Sequence, residues 1–202
     1  MRAVIAQHKG GVGKTTLAVH IAGLISSRFK RTLLIDCDSQ GDAFHFFTKK
    51  FPSEELTVET GMDHVDVTWN PNRKQFSNKG AFSEYANIVV DVDTRVTNAL
   101  QVIVEAEPTL ILIPIDNQQL SHVHGLQVLK MIESLESKFS VPSRKVFVAM
   151  GVNRNDLSLD GHTQFNIPYH NEFDRCLNES QYIWDISADL KYITGCFREI
   201  LA

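Results

Sequence analysis

Gln7-His8-Lys9-Gly10-Gly11-Val12-Gly13-Lys14-Thr15-Thr16 decides the reading of this chain. The segment follows a short apolar run, Ala3-Val4-Ile5-Ala6, and leads into Leu17, Ala18, Ile21, Ala22 and Ile25, which recur at helical spacing to about Arg28. A glycine-rich turn between a strand and a helix start is the setting of a phosphate-binding loop. Glycines let backbone N–H groups converge on an anion, and the helix N-terminus adds partial positive charge. In that setting Lys14 reaches the β- and γ-phosphates of a nucleoside triphosphate, and the Thr15 hydroxyl ligates Mg²⁺.

The loop departs from the plain G-x-x-x-x-G-K-[ST] pattern, because His8 stands where the first glycine is expected and a second lysine, Lys9, follows it. One triphosphate needs less cation than two such lysines supply from a single subunit. Lys9 is therefore a candidate to point outward, toward a nucleotide held by a second subunit. A solvated loop charge is the competing reading.

Moving outward, Thr32-Leu33-Leu34-Ile35 is a continuous apolar run, as expected of a strand buried on both faces of a parallel sheet. It ends in Asp36-Cys37-Asp38-Ser39-Gln40-Gly41-Asp42. Ligands of open α/β sheets bind beyond the carboxyl ends of strands, so both Asp36 and Asp38 fall where phosphates should lie, on one side of the chain. A polar turn is the alternative. Ile88-Val89-Val90 leads in the same way into Asp91, the position expected of a Walker B acid holding Mg²⁺ through water. Leu110-Ile111-Leu112-Ile113, closed by Pro114, and Val146 to Met150 supply two more buried strands. Asn153, past the end of the latter, is placed to hydrogen-bond an adenine edge or to form a turn.

Between these landmarks, helices are expected over Val96–Ala106, Leu120–Phe139 and about Ser187–Leu201, the last apolar at Leu190, Ile193, Phe197 and Ile200. Phe44, Phe46 and Phe47 read as core or interface in a short helix, Val65 to Trp69 as an edge strand, and Asn70-Pro71-Asn72 as a turn before a polar stretch from Arg73 to Gly80. Ile167-Pro168-Tyr169-His170 is an extended piece entering a helix near Glu172. Arg28, Lys30 and Arg31 form a basic turn, its charge favoured by the macrodipole at a helix C-terminus or serving as a binding patch. His122 and His124, two apart, cannot share a helical face, which argues against a metal site there. The expected fold is α/β, a single P-loop NTPase domain over 1–202 with a mostly parallel central sheet flanked by helices on both faces.

Size and composition agree: 202 residues, 43% hydrophobic and 22% charged, suit one soluble domain with a self-sufficient core. Cys37, Cys176 and Cys196 are widely separated, which suggests a reducing compartment and argues against a zinc or cluster site. The N-terminus enters a strand at once, leaving no room for a signal peptide, and no apolar run approaches the roughly 18 residues that span a bilayer. A cytoplasmic protein without a membrane partner is expected. The net charge of −4 does not advertise nucleic-acid binding, so such contact would need a local or dimer-assembled patch.

Lys9-Gly10-Gly11-Val12-Gly13-Lys14-Thr15-Thr16 resembles the deviant Walker A motif of the ParA/MinD family of P-loop ATPases, and Asp36-Cys37-Asp38-Ser39-Gln40-Gly41 resembles the ParA second motif D-x-D-x-Q-G. The strand-end Asp91, the Asn153-Arg154 pair and Ile167-Pro168 follow in the family's order, and the resemblance is weakest over 50–87. Gln40-Gly41 favours the ParA branch, in its short form without an N-terminal DNA-binding extension, over the MinD branch with its membrane helix.

The resemblance implies an ATP-sandwich homodimer that binds non-specific DNA, associates with the nucleoid when ATP-bound, and positions a plasmid, chromosome or large protein cargo, with a ParB-type or cargo-linked adaptor stimulating slow hydrolysis. Lys9 would cross to the partner's ATP. Lys14 would act in cis, Thr15 would bind Mg²⁺, and Thr16 would sit near the α-phosphate above the Gly10, Gly11, Val12 and Gly13 backbone. Asp38 would orient the attacking water, Asp36 would be a nearby Mg²⁺-shell or structural acid, and Asp91 the Walker B residue. Asn153 would read adenine, with Pro168 packing near the base. Lys191, Arg198 and Arg175 are the candidate DNA contacts. Asp91-Val92-Asp93-Thr94 departs from the family's proline-containing segment. Two other functions compete: a small-molecule kinase or ligase with a substrate pocket from residues 43–87, and a nucleotide-gated binding protein that barely hydrolyses.

Overall fold

Ala3 and Ile5 pack on one face of a central sheet while Val4 and Ala6 pack on the other, so the first strand is buried on both sides. That alternation runs through the central strands of this computed structural model, which describes residues 1–74, 82–92, 96–139, 142–152, 159 and 161–202, the side chains of 96–99 and 138–139 excepted. Among the described residues the strands are β1 (Arg2–Ile5), β2 (Thr32–Asp36), β3 (Val58–Thr60), β4 (Val65–Trp69), β5 (Asn87–Asp91), β6 (Leu110–Ile115), β7 (Arg144–Met150) and β8 (Gln164–Ile167). They form one sheet in the order β3-β4-β2-β5-β1-β6-β7-β8. Each described pairing is parallel except β3 with β4.

The helices are α1 (Lys14–Ile25), α2 (Asp42–Thr48), α3 (Val96–Ala106), α4 (Gln119–Phe139), α5 (Glu172–Glu179), α6 (Ile183–Ile186) and α7 (Tyr192–Leu201). Residues of α3 and α4 join the core on the Val4 face, whereas the other helices cover the Ala3 face. The α/β layering expected from the apolar runs is therefore present, with helices on both sides. From β1 the chain crosses to β2 on one side of the sheet and later to β6 on the other. The crevice at the carboxyl end of β1, a topological switch point, is where such sheets hold ligands.

Several local expectations are corrected. The first helix stops at Ile25, not near Arg28, because Asn87 Nδ2 donates to the Ile25 carbonyl at 3.1 Å and Ser26 Oγ to the His64 carbonyl at 2.6 Å. Arg28 and Lys30 do lie in a turn, closed by mutual Ser27–Lys30 backbone bonds, and Arg31 pairs with Asp66. α1 is also buried nearly all round instead of along one stripe, because α2, α5 and α7 close over it. β4 is not an edge strand: the short β3, unread in the sequence, pairs outside it. Phe44, Phe46 and Phe47 do lie in a short helix, and all three are core.

Pro114 does not close its strand either, since β6 continues to Ile115. The Pro114 carbonyl accepts from Gln7 Nε2 at 3.3 Å, so its nitrogen edge faces the side where β1 has already ended and no ladder donor is required. The final helix is broken: a 3-10 turn, Ala188–Leu190, precedes α7. Its expected apolar face holds, with Leu190, Ile193, Phe197 and Ile200 all buried. Asn153, Asp93, Thr94 and most of the polar stretch after Lys74 lie outside the described residues.

Candidate nucleotide-binding site

The loop between β1 and α1 is built by its glycines. Gly11 (φ 70°) and Gly13 (φ 89°) adopt left-handed conformations, and a Cβ on Gly13 would come within 3.0 Å of the Met150 side chain. Gly13 caps α1, its carbonyl accepting the first helical bond from the Leu17 N–H at 2.9 Å. The loop's N–H groups and the helix N-terminus therefore meet at the carboxyl end of β1, the arrangement an anion requires. Lys14 is only 7% exposed, and its Nζ donates to the Lys9 carbonyl at 3.1 Å.

Beneath the loop lie the acids. Asp36 and Asp91 are register partners on β2 and β5, and both are buried. Asp36 accepts from the Asp38 N–H through one oxygen and the Phe44 N–H through the other, each at 2.9 Å. Burial first, and then the Asp91 charge, push its carboxyl well above the usual carboxylate range. This geometry makes Asp36 a brace that ties the second motif to the start of α2, with both oxygens already engaged. Asp91 differs: among the described residues neither of its oxygens has a hydrogen-bond partner. Burial pushes it up to about 7, opposed by Thr15 and Lys14 and reinforced by Asp38 and Asp42. An orphaned buried carboxylate facing a threonine hydroxyl fits a divalent cation shared with phosphate oxygens. Thr15 and Asp91 are the residues that would hold Mg²⁺.

Asp38 is more exposed and stands at the rim, its Oδ1 accepting from the Gln40 N–H at 3.0 Å while Trp69 Nε1 donates to its carbonyl at 2.8 Å. Gly41 (φ 71°) follows, where a Cβ would meet Pro52 at 2.7 Å, which accounts for the glycine that ends the motif. The structure thus brings Lys14, Thr15, Asp36, Asp38 and Asp91 to one place. Pro168, half-buried, follows β8 at the same end of the sheet, and Tyr169 beside it is 72% exposed against Gly151.

Lys9 does not reach outward in the single chain. Its ammonium pairs with Asp116 Oδ2 and with Gln118 Oε1, the latter at 2.8 Å. The sequence reading missed both partners, although Asp116 follows a buried apolar strand just as Asp36 and Asp91 end theirs. It also missed Gln7, whose Nε2 bonds the Pro114 and Ser121 carbonyls at 3.3 Å and whose Oε1 receives the His8 N–H at 2.8 Å. His8 packs against His124 with ring centroids 4.0 Å apart; burial, then His124 and Lys14, lower its pKa.

Residues 3–165 match the CobQ/CobB/MinD/ParA nucleotide binding domain. Over 39 residues the chain is 54% identical to the chromosome partitioning protein ParA of Myxococcus xanthus, a match covering 19% of this chain and 14% of that protein. Over 105 residues it is 33% identical to maintenance of carboxysome distribution protein A of Gloeobacter kilaueensis, covering 52% of this chain and 44% of the relative. The matched segments therefore span less than half the length of these relatives. In three dimensions the chain resembles apo McdA of Cyanothece with a TM-score of 0.81 at 16% identity, covering 100% of this chain and 99% of the other. It resembles MinD of Pyrococcus horikoshii complexed with Mg-ADP at 0.78 and 12% identity, covering 98% and 95%. At such identities the likeness is one of fold. The phosphate loop, the paired strand-end acids and the match across most of the chain lead to one assignment: the chain belongs to the CobQ/CobB/MinD/ParA family of nucleotide-binding domains, on its ParA branch.

Proposed function

We propose that this chain is a ParA-type ATPase. ATP joins two copies, each Lys9 reaches the other copy's triphosphate, and the dimer binds DNA without sequence preference. An adaptor protein stimulates slow hydrolysis, so that a plasmid, chromosome or large protein cargo is positioned. The observation that carries this reading is the convergence of a two-lysine phosphate loop with Asp38 and the orphaned Asp91. The relatives' names, chromosome partitioning and carboxysome distribution, support it.

The chemistry follows from the residues. Loop N–H groups and Lys14 neutralise the β- and γ-phosphate oxygens, and Asp38, at the rim, orients the attacking water in line. Mg²⁺, when bound by Thr15 and Asp91, supplies further charge neutralisation. Lys9 from the partner completes the cation shell, which makes pairing a precondition for turnover. Asn153 and Pro168 are the proposed adenine contacts. A small-molecule kinase is less well supported, since Phe44, Phe46 and Phe47 face the core and not a substrate pocket.

DNA contact belongs to the same proposal, with a narrower candidate set. Arg175 is engaged by Glu172 and Glu179 on its own helix at 3.4 and 2.8 Å, so its charge is locally compensated. Lys191 and Arg198 border a cavity of about 620 Å³ together with Asp63 and Asp185, and remain the better candidates. The deciding experiment is light scattering after size exclusion with and without ATP and Mg²⁺. The wild type is expected to double in mass with ATP, and a mass that stays monomeric overturns the reading. Retention on non-specific DNA should appear only with ATP and weaken steeply with salt.

A further inference from the structure

Lys9 is held at both ends in the single chain. Its carbonyl accepts from Lys14 Nζ at 3.1 Å, and its ammonium lies between Asp116 Oδ2 and Gln118 Oε1. The receiving turn is rigidly built just past β6. The Gln118 N–H donates to Asp116 Oδ1 at 3.0 Å, the Asp116 N–H donates to Ser121 Oγ at 3.2 Å, and the His122 ring nitrogen bonds the Asp116 carbonyl at 2.8 Å. One carboxylate oxygen is thereby committed to the turn and the other is aimed at Lys9. The two side chains are 17% and 22% exposed, so solvent screens this pair less than a surface one. Partial burial pushes the Asp116 carboxyl up, but Lys9 and the Gln118 N–H outweigh it and the net shift is downward.

We propose that Asp116 and Gln118 form a latch that sequesters the Lys9 ammonium in the single chain, and that ATP releases it by drawing Lys14 off the Lys9 carbonyl. This deepens, and rests on, the reading of Lys9 as the lysine that crosses to the partner. The coupling is local. The β- and γ-phosphates compete for Lys14, the backbone of Lys9 loses its tether, and the exposed Gly10-Gly11 pair that follows lets the loop swing. Asp116 is then a positioning residue: it sets how much of the Lys9 population is free to cross, and so the protein concentration at which ATP produces dimers.

Asp116→Asn keeps the turn, because the amide oxygen still accepts the Gln118 N–H, and removes the charge that holds Lys9. Sedimentation over a protein dilution series with ATP and Mg²⁺ should show its dimerisation midpoint lowered on the order of tenfold relative to wild type. Turnover at saturating protein concentration should be unchanged. Gln118→Ala, which removes one arm only, should move the midpoint the same way by less, and it serves if Asp116→Asn does not fold. A wild type that dimerises with ATP, alongside an Asp116→Asn midpoint equal to or above it, overturns the latch alone. A wild type that stays monomeric with ATP overturns the dimer reading and the latch with it.

Discussion

Asp36 and Asp91 sit side by side on adjacent parallel strands, both out of water, and among the described residues Asp36 alone of the two has hydrogen-bond donors on its oxygens. Two neighbouring buried carboxylates are costly unless a proton or a cation is shared among them. The asymmetry divides the two acids: Asp36 shapes the motif, and Asp91 is the one proposed to meet a metal.

Asp91→Asn should therefore stabilise the nucleotide-free chain near neutral pH by about 1–3 kcal/mol, since it removes a buried charge without changing shape. The same substitution should abolish the extra thermal stability that Mg²⁺ adds in the presence of ATP. Melting with ATP alone and with ATP plus Mg²⁺ separates the two effects; a variant that still responds to Mg²⁺ would remove Asp91 from the metal's shell.

Lys9→Ala should lose turnover by on the order of a hundredfold or more, the scale of deleting a charge-stabilising group in phosphoryl transfer. Nucleotide affinity of the single chain should change little, because Lys14 and the loop amides remain. Fluorescent-nucleotide titration beside a phosphate-release assay measures both, and undiminished turnover would defeat the trans-lysine role.

Asp38→Ala should stop hydrolysis while leaving nucleotide binding and pairing intact, so an ATP dimer accumulates. Its Asx bond to Gln40 is lost as well, at a cost of about 0.5–1.5 kcal/mol. A dimer that decays at the wild-type rate after ATP is removed would show that Asp38 does not orient the water.

His20 gives the fold a pH limit. It is fully buried in α1 and held in one neutral tautomer: Nδ1 donates to the Thr16 carbonyl at 2.7 Å, and Nε2 accepts the Ile183 N–H at 3.0 Å. Burial lowers its pKa to about 4, against the opposing pull of the Thr16 carbonyl. The unfolded chain takes up this proton near 6.5 and the folded chain does not. Its contribution is complete above pH 6.5 and is lost as pH falls toward 4, by up to about 3 kcal/mol. Urea midpoints across that range should fall in the wild type and fall less steeply in His20→Gln; parallel curves would assign the acid sensitivity elsewhere.

The sequence by itself determined the nucleotide end of the molecule. Backbone conformation, apolar burial and local turn chemistry are short-range, so the glycine loop, the apolar runs into Asp36 and Asp91, and the apolar face of α7 were all legible. The end of α1 was not, because the long-range bonds of Asn87 to Ile25 and Ser26 to His64 stop it early, whereas the limits of α3 and α4 were read to within a residue. Nor was β3, whose three residues carry no pattern until β4 offers an edge. Only the tertiary structure could decide which acid is braced and which is orphaned, since that depends on where the Phe44 and Asp38 amides fall. The partner of Lys9 was likewise hidden: Asp116 lies 107 residues away in sequence and reaches the loop only because β6 pairs beside β1. Charge pairing at that separation is set by strand order, which no local pattern encodes.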